Sequence, residues 1–122
     1  MAVHVLVVDD DEIFANAVSQ MLAPDGYRTS LAHHFGKALE ILEGPDAPDL
    51  LFVDVVMPGS VNGIALARMA RMRHRSIRII YTTGYDIPGL WDEPMHGPIL
   101  KKPFPQQELL ATVRNELAAL DQ

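Results

Sequence analysis

Two adjacent aspartates (Asp9-Asp10), a third at Asp54, a threonine pair (Thr82-Thr83) and a lysine pair (Lys101-Lys102) are the residues of this chain best suited to act together chemically. Each group closes a short apolar run. His4-Val5-Leu6-Val7-Val8 precedes Asp9, and Leu50-Leu51-Phe52-Val53 precedes Asp54. Arg78-Ile79-Ile80-Tyr81 precedes Thr82, and Pro98-Ile99-Leu100 precedes Lys101. Continuous apolar runs of this kind mark buried parallel strands, and open α/β sheets form their ligand crevice beyond the carboxyl ends of such strands. Four of them side by side would gather three carboxylates, a hydroxyl and an ammonium into one pocket. That set of groups suits a divalent metal and a phosphoryl group.

Crowded carboxylates repel one another and are relieved by a cation. Mg²⁺ is a hard ion that takes oxygen ligands, commonly one or two carboxylates with waters and phosphate oxygens, which makes Asp9, Asp10 and Asp54 candidate metal ligands. Helix capping accounts for Asp11, which favours the positive end of a helix dipole, but it does not account for Asp54. A carboxylate can also attack a phosphoryl group to give an acyl phosphate, provided the charge is neutralised from outside. Lys102 is placed to supply that charge, and a cis Lys102–Pro103 bond, cheap only before proline, would aim it inward. Strand alternation sends Lys101 to the opposite face. Thr83 is the better hydroxyl candidate because Gly84 leaves backbone room beside the pocket. The glycines of Pro58-Gly59 and Asn62-Gly63 permit close backbone approach but read first as turn residues. Arg68, Arg71, Arg73, Arg75 and Arg78 read as a solvated face. The five histidines lack metal-ligand spacing, and His33-His34 is expected to be exposed.

Positioning these groups falls to strand and helix patterns that alternate five times. Asp11 caps a helix with Ile13, Phe14, Ala17, Val18, Met21 and Leu22 at helical spacing, ended by Pro24-Asp25-Gly26. A more polar strand, Tyr27 to Ala32, belongs nearer an edge, and a helix follows over His34 to Glu43. The third strand spans Leu50 to Val53, and a helix runs from about Gly63 to Arg73. The fourth strand spans Ile77 to Tyr81 and the fifth Ile99-Leu100. A final amphipathic helix runs from Gln106 to Leu120. Pro88, Gly89, Pro94 and Gly97 fill Tyr85 to Gly97 with helix breakers, leaving at most one short turn around Leu90-Trp91-Asp92. The alternation predicts right-handed βαβ units in a parallel sheet covered on both faces: an α/β fold forming one domain over residues 1–122.

Hydrophobic residues make up 48% and charged residues 21% of the 122, the composition of an ordinary globular domain. No apolar run approaches the roughly 20 residues of a membrane span, and Met1 leads directly into a strand pattern, as expected of a native start without a signal peptide. The lack of cysteine excludes thiolate metal sites and permits a reducing, cytoplasmic setting. A net charge of −6 is a poor electrostatic match for direct nucleic-acid binding.

Taken together, Val7-Val8-Asp9-Asp10, Asp54-Val55-Val56-Met57-Pro58, Thr82-Thr83-Gly84 and Lys101-Lys102-Pro103-Phe104 resemble the receiver domain of two-component response regulators. Met57 to Gly63 and Thr83-Gly84-Tyr85 are similar to receivers of hybrid sensor kinases. The resemblance implies a doubly wound, flavodoxin-like five-stranded parallel sheet of order 2-1-3-4-5 with a short or broken fourth helix. It implies Asp54 as phosphoacceptor, and Mg²⁺ held by Asp9, Asp10, Asp54 and the Val56 backbone carbonyl. It further implies Thr83 as switch hydroxyl, Lys102 as phosphate partner, and a signalling role rather than an enzyme's. The implied partners are a histidine kinase or histidine phosphotransfer domain and a downstream output protein or domain, with the chain a monomer or weak phosphorylation-dependent dimer. Ile99 stands where many relatives carry an aromatic residue. Two alternatives have different chemistry: an interaction module that works without phosphorylation, and a haloacid-dehalogenase-like phosphohydrolase, for which the chain lacks room for a cap.

Overall fold

The computed structural model describes residues 2–57, 62–85 and 95–119. Its strands are β1 (His4–Val8), β2 (Arg28–Ala32), β3 (Leu50–Asp54), β4 (Arg78–Thr83) and β5 (Ile99–Lys101). Its helices are α1 (Glu12–Leu22), α2 (Phe35–Glu43), α3 (Gly63–Arg73) and α4 (Gln106–Ala118), with a 3₁₀ turn over Ala23–Asp25. The sheet is parallel throughout, in the order β2-β1-β3-β4-β5.

Alternation along each strand divides the core in two. Leu6, Val8, Leu51, Val53, Ile79 and Tyr81 pack with Ala38 and Leu42 of α2 and Ile64, Leu66, Ala67 and Ala70 of α3. Val5, Val7, Leu50, Phe52 and Ile80 pack on the other face with Ala15, Val18 and Leu22 of α1 and Leu109 and Val113 of α4. Both faces of the three inner strands are therefore dry, which is why these strands read as unbroken apolar runs. β2 is an edge strand, and its polar sequence Arg28-Thr29-Ser30 is only partly buried.

Local chemistry fixes the helix starts. The Asp11 carboxylate accepts from Phe14 N–H at 3.1 Å, His34 Nδ1 from Lys37 N–H at 3.2 Å, and Asn62 Oδ1 from Ala65 N–H at 2.9 Å. α1 closes through the 3₁₀ turn onto Gly26, whose φ of 82° lies in the left-handed region glycine favours. β4 starts one residue later than the apolar pattern indicates and runs two residues further, through Thr83. The ladder continues because Val55 N–H donates to Thr82 O and Lys102 N–H to Thr83 O, each at 2.9 Å. β2 starts at Arg28, where Arg28 N–H first reaches Val3 O, rather than at Tyr27. The predicted turn at Leu90-Trp91-Asp92 and the terminal Leu120 lie outside the described residues.

The arginine run is less solvated than its composition suggests. Arg71 Nε donates to Ile77 O at 2.7 Å, Arg73 pairs with Glu43 at 2.8 Å and Arg78 with Glu116 at 2.8 Å. These contacts fasten the end of α3 and the entry to β4 onto neighbouring elements.

Candidate functional site

The topology sets the carboxyl ends of β1, β3, β4 and β5 side by side. Val8 is registered against Val53, Asp54 against Thr82, and Thr83 against Lys101. Beyond them lies a cavity of about 560 Å³, lined by Asp9, Asp10, Asp54, Val56, Tyr85 and Lys102 among others.

Asp9 and Asp54 are buried and Asp10 is exposed; carboxylate oxygens of the three lie within 4.8 Å of one another. The Lys102 ammonium bridges the buried pair, with Nζ 2.7 Å from Asp9 Oδ2 and 3.1 Å from Asp54 Oδ2. Their remaining oxygens accept backbone donors: Asp11 N–H reaches Asp9 Oδ1 and Val56 N–H reaches Asp54 Oδ1, each at 2.9 Å. Asp10 has no hydrogen-bonding or ionic partner among the described residues. Three carboxylates facing one ammonium leave an excess of negative charge, and every donor atom is a hard oxygen. That donor set fits Mg²⁺ or a similar hard cation.

Burial raises the Asp54 pKa above the usual carboxylate value; the Val56 N–H and Lys102 bonds pull it down without cancelling that effect, and the Asp9 charge adds to it. Burial alone would lower the Lys102 pKa. The hydrogen bonds to Asp9 and Asp54 and their charges outweigh it and hold the group above its ordinary 10.5. The ammonium therefore stays charged across the physiological range.

The structure thus brings Asp9, Asp10, Asp54 and Lys102 together, and Val56 sits at the cavity wall. The Lys102–Pro103 peptide is cis. Thr83 is buried beside the site with its hydroxyl engaged elsewhere: Tyr85 N–H donates to Oγ1 at 3.1 Å, and Oγ1 donates to Tyr85 O at 3.3 Å. Thr82 Oγ1 is buried with no partner among the described residues.

Three contributors escaped sequence reasoning. Gly63 places the first turn of α3 so tightly on β3 that a Cβ there would lie 2.8 Å from the Asp54 carbonyl carbon and closer still to its oxygen. The Asn62-Gly63 pair was its only signal, and that pair is common in turns. His33, expected to be exposed, is partly buried with Nδ1 3.1 Å from Asp9 O; since a carbonyl only accepts, Nδ1 carries the proton. Phe14 looks like any apolar residue of α1, yet its ring lies under the Lys102 ammonium, 4.1 Å from Nζ to the ring centroid.

Residues 5–114 match the family model of the response regulator receiver domain. The transcriptional regulatory protein CpxR of Escherichia coli (strain K12) is 32% identical over 112 residues, covering 90% of this chain and 47% of that protein. The response regulator MprA of Mycobacterium sp. (strain KMS) is 32% identical over 119 residues, covering 93% and 50%. The chain spans about half the length of the curated relatives it matches. A crystal structure of a response regulator receiver protein from Sinorhizobium medicae WSM419 superposes with a TM-score of 0.89 at 27% identity, covering 98% of this chain and 97% of that one. Among the described residues no helix is long and apolar enough to cross a membrane. With a family match over nearly its whole length, the predicted strand order, and acidic residues and lysine meeting at the strand ends, the chain belongs to the response regulator receiver domain family of two-component signalling.

Proposed function

We propose that residues 1–122 form one receiver domain in which Asp54 accepts a phosphoryl group from a phosphohistidine on a histidine kinase or histidine phosphotransfer domain. The observation that carries this reading is the Lys102 ammonium bridging buried Asp9 and Asp54, with Asp10 completing the acidic cluster. An Asp54 carboxylate oxygen attacks phosphorus in line with the leaving imidazole. The O–P bond forms as the N–P bond breaks, and the imidazole nitrogen keeps the electron pair and takes a proton.

Phosphoryl transfer asks a protein mainly for position and charge. Val56 N–H fixes the Asp54 carboxylate, and Lys102 offers N–H donors to the oxygens that arrive. Asp9, Asp10, Asp54 and the Val56 carbonyl would hold Mg²⁺, which supplies the positive charge that lets anionic groups approach one another. The Thr83 hydroxyl exchanges its Tyr85 contacts for a phosphoryl oxygen, which biases the loop after β4 between two arrangements. That change is read by an output protein or domain, with the chain a monomer or a weak phosphorylation-dependent dimer. The role is that of a phosphoacceptor rather than a turnover enzyme. A cytoplasmic setting is supported by the match to CpxR, whose name describes a transcriptional regulatory protein.

The test is uptake of one phosphoryl group from acetyl phosphate with Mg²⁺, read by intact-protein mass. The unmodified chain gains that mass and Asp54→Ala does not. Undiminished uptake by the variant overturns the assignment.

A further inference from the structure

Lys102 is held from a third side that the phosphoacceptor chemistry does not by itself require. Its Nζ sits 4.1 Å from the centroid of the Phe14 ring while it donates to Asp9 and Asp54. Phe14 lies in the first turn of α1, where its N–H receives the Asp11 cap. Its ring meets Phe104 edge to face, with centroids 5.8 Å apart at 82°, and Phe104 meets Phe52 at 6.0 Å and 73°. Phe104 lies two residues beyond Lys102, and Phe52 lies two before Asp54 on the same face of β3. The segments that carry the ammonium and the carboxylate thus also brace the ring against the core.

An aromatic face attracts a cation through its quadrupole, most strongly where water is excluded. A lysine ammonium has three N–H donors; Asp9 and Asp54 accept two of them here. An aliphatic residue of similar bulk would fill the space without that attraction, and the four-carbon stem of Lys102 would be freer to swing toward solvent.

We propose that Phe14 is a positioning residue for phosphoryl transfer, its π face holding the Lys102 ammonium over the acidic pocket. This rests on the reading of Asp54 as phosphoacceptor. The test replaces Phe14 in the full chain with mono-, di- and trifluorinated phenylalanines, which drain the ring quadrupole with little change in size. The rate of phosphoryl uptake from acetyl phosphate at saturating Mg²⁺ is measured alongside the Lys102 ε-methylene proton shift. Uptake falls stepwise with each fluorine, by about 3- to 10-fold for the trifluorinated ring, while the melting temperature stays near that of the unmodified chain. The ε-methylene signal, displaced upfield by the ring current, moves back in Phe14→Leu. A rate indifferent to fluorination, or Phe14→Leu as fast as the unmodified chain, overturns the proposal. If the unmodified chain takes up no phosphoryl group, the function proposed for Asp54 fails and this role fails with it. An upfield ε-methylene signal in that case shows that the ring still lies against Lys102 and that only the Asp54 chemistry has failed, and an undisplaced one shows that the placement of Phe14 fails as well.

Discussion

Replacing Gly63 with alanine tests whether α3 and β3 are locked together at Asp54. The added Cβ would stand 2.8 Å from the Asp54 carbonyl carbon and 2.9 Å from Val55 Cα, with the Asp54 oxygen closer still. Ordinary contact begins at 3.4 Å, so the strand end and the helix must part by about 0.6 Å at the carbon, and by more at the oxygen. All three neighbours are backbone, so no side chain can rotate away. The Gly63 N–H to Val55 O bond, 3.1 Å long, is stretched by the same movement. Overpacking of this kind costs typically 1–3 kcal/mol, and with rigid backbone on both sides we place Gly63→Ala near the top, at about 3 kcal/mol. The displaced residue is Asp54 itself, and a misplacement approaching 1 Å costs on the order of 10²-fold in rate.

Gly97→Ala is the control. Its Cβ would lie 2.8 Å from the Ile79 carbonyl carbon and nearer its oxygen, a similar clash near the start of β4, away from the pocket. Urea unfolding and the initial rate of phosphoryl uptake from acetyl phosphate are measured on both variants. Both lose stability, and Gly63→Ala alone loses most of its rate. Equal rate losses in the two, or a Gly63→Ala protein as stable as the parent, would refute the claim that this glycine seats Asp54.

Lys102→Met keeps much of the side-chain volume and removes the charge, leaving Asp9 and Asp54 unpaired. Because the site is open on one side, we expect a loss of about 2 kcal/mol rather than the larger figure for a fully buried pair. The Lys102 pKa is raised on folding, so this loss is full below pH 10.5 and disappears as pH rises through the folded value; urea midpoints against pH check it. The folded Asp54 pKa is also raised, which for a carboxylate means that ionisation opposes folding. Asp54→Asn is therefore more stable than the parent at pH 7, and the gap closes as pH falls through the folded value toward 3.8, an ordering that thermal melts at several pH values would contradict if reversed. Mg²⁺ at 100 times its dissociation constant stabilises the parent by about 2.7 kcal/mol and EDTA removes the gain; an equal gain in Asp10→Asn, followed by the shift in melting temperature, would argue against the acidic cluster as its site.

The apolar runs determined the strands because a buried parallel strand has no wet face and so writes itself as an unbroken hydrophobic stretch. The same runs located Asp9, Asp54, Thr83 and Lys102 at strand ends, and cap chemistry at Asp11 placed the start of α1. Strand limits were less legible: β3, β4 and β5 run on into Asp54, Thr83 and Lys101, where backbone pairing between strands outweighs the polarity of the side chains. Only tertiary structure decided which way a side chain turns once it arrives. Thr83 is in place but spends its hydroxyl on Tyr85, and His33 tucks against Asp9 where its composition suggested exposure. Gly63 and Phe14 matter through contacts with β3 and Lys102, far away along the chain. Their residue types carry no trace of this, because close approach and ring-over-cation geometry belong to the packed sheet and its helices.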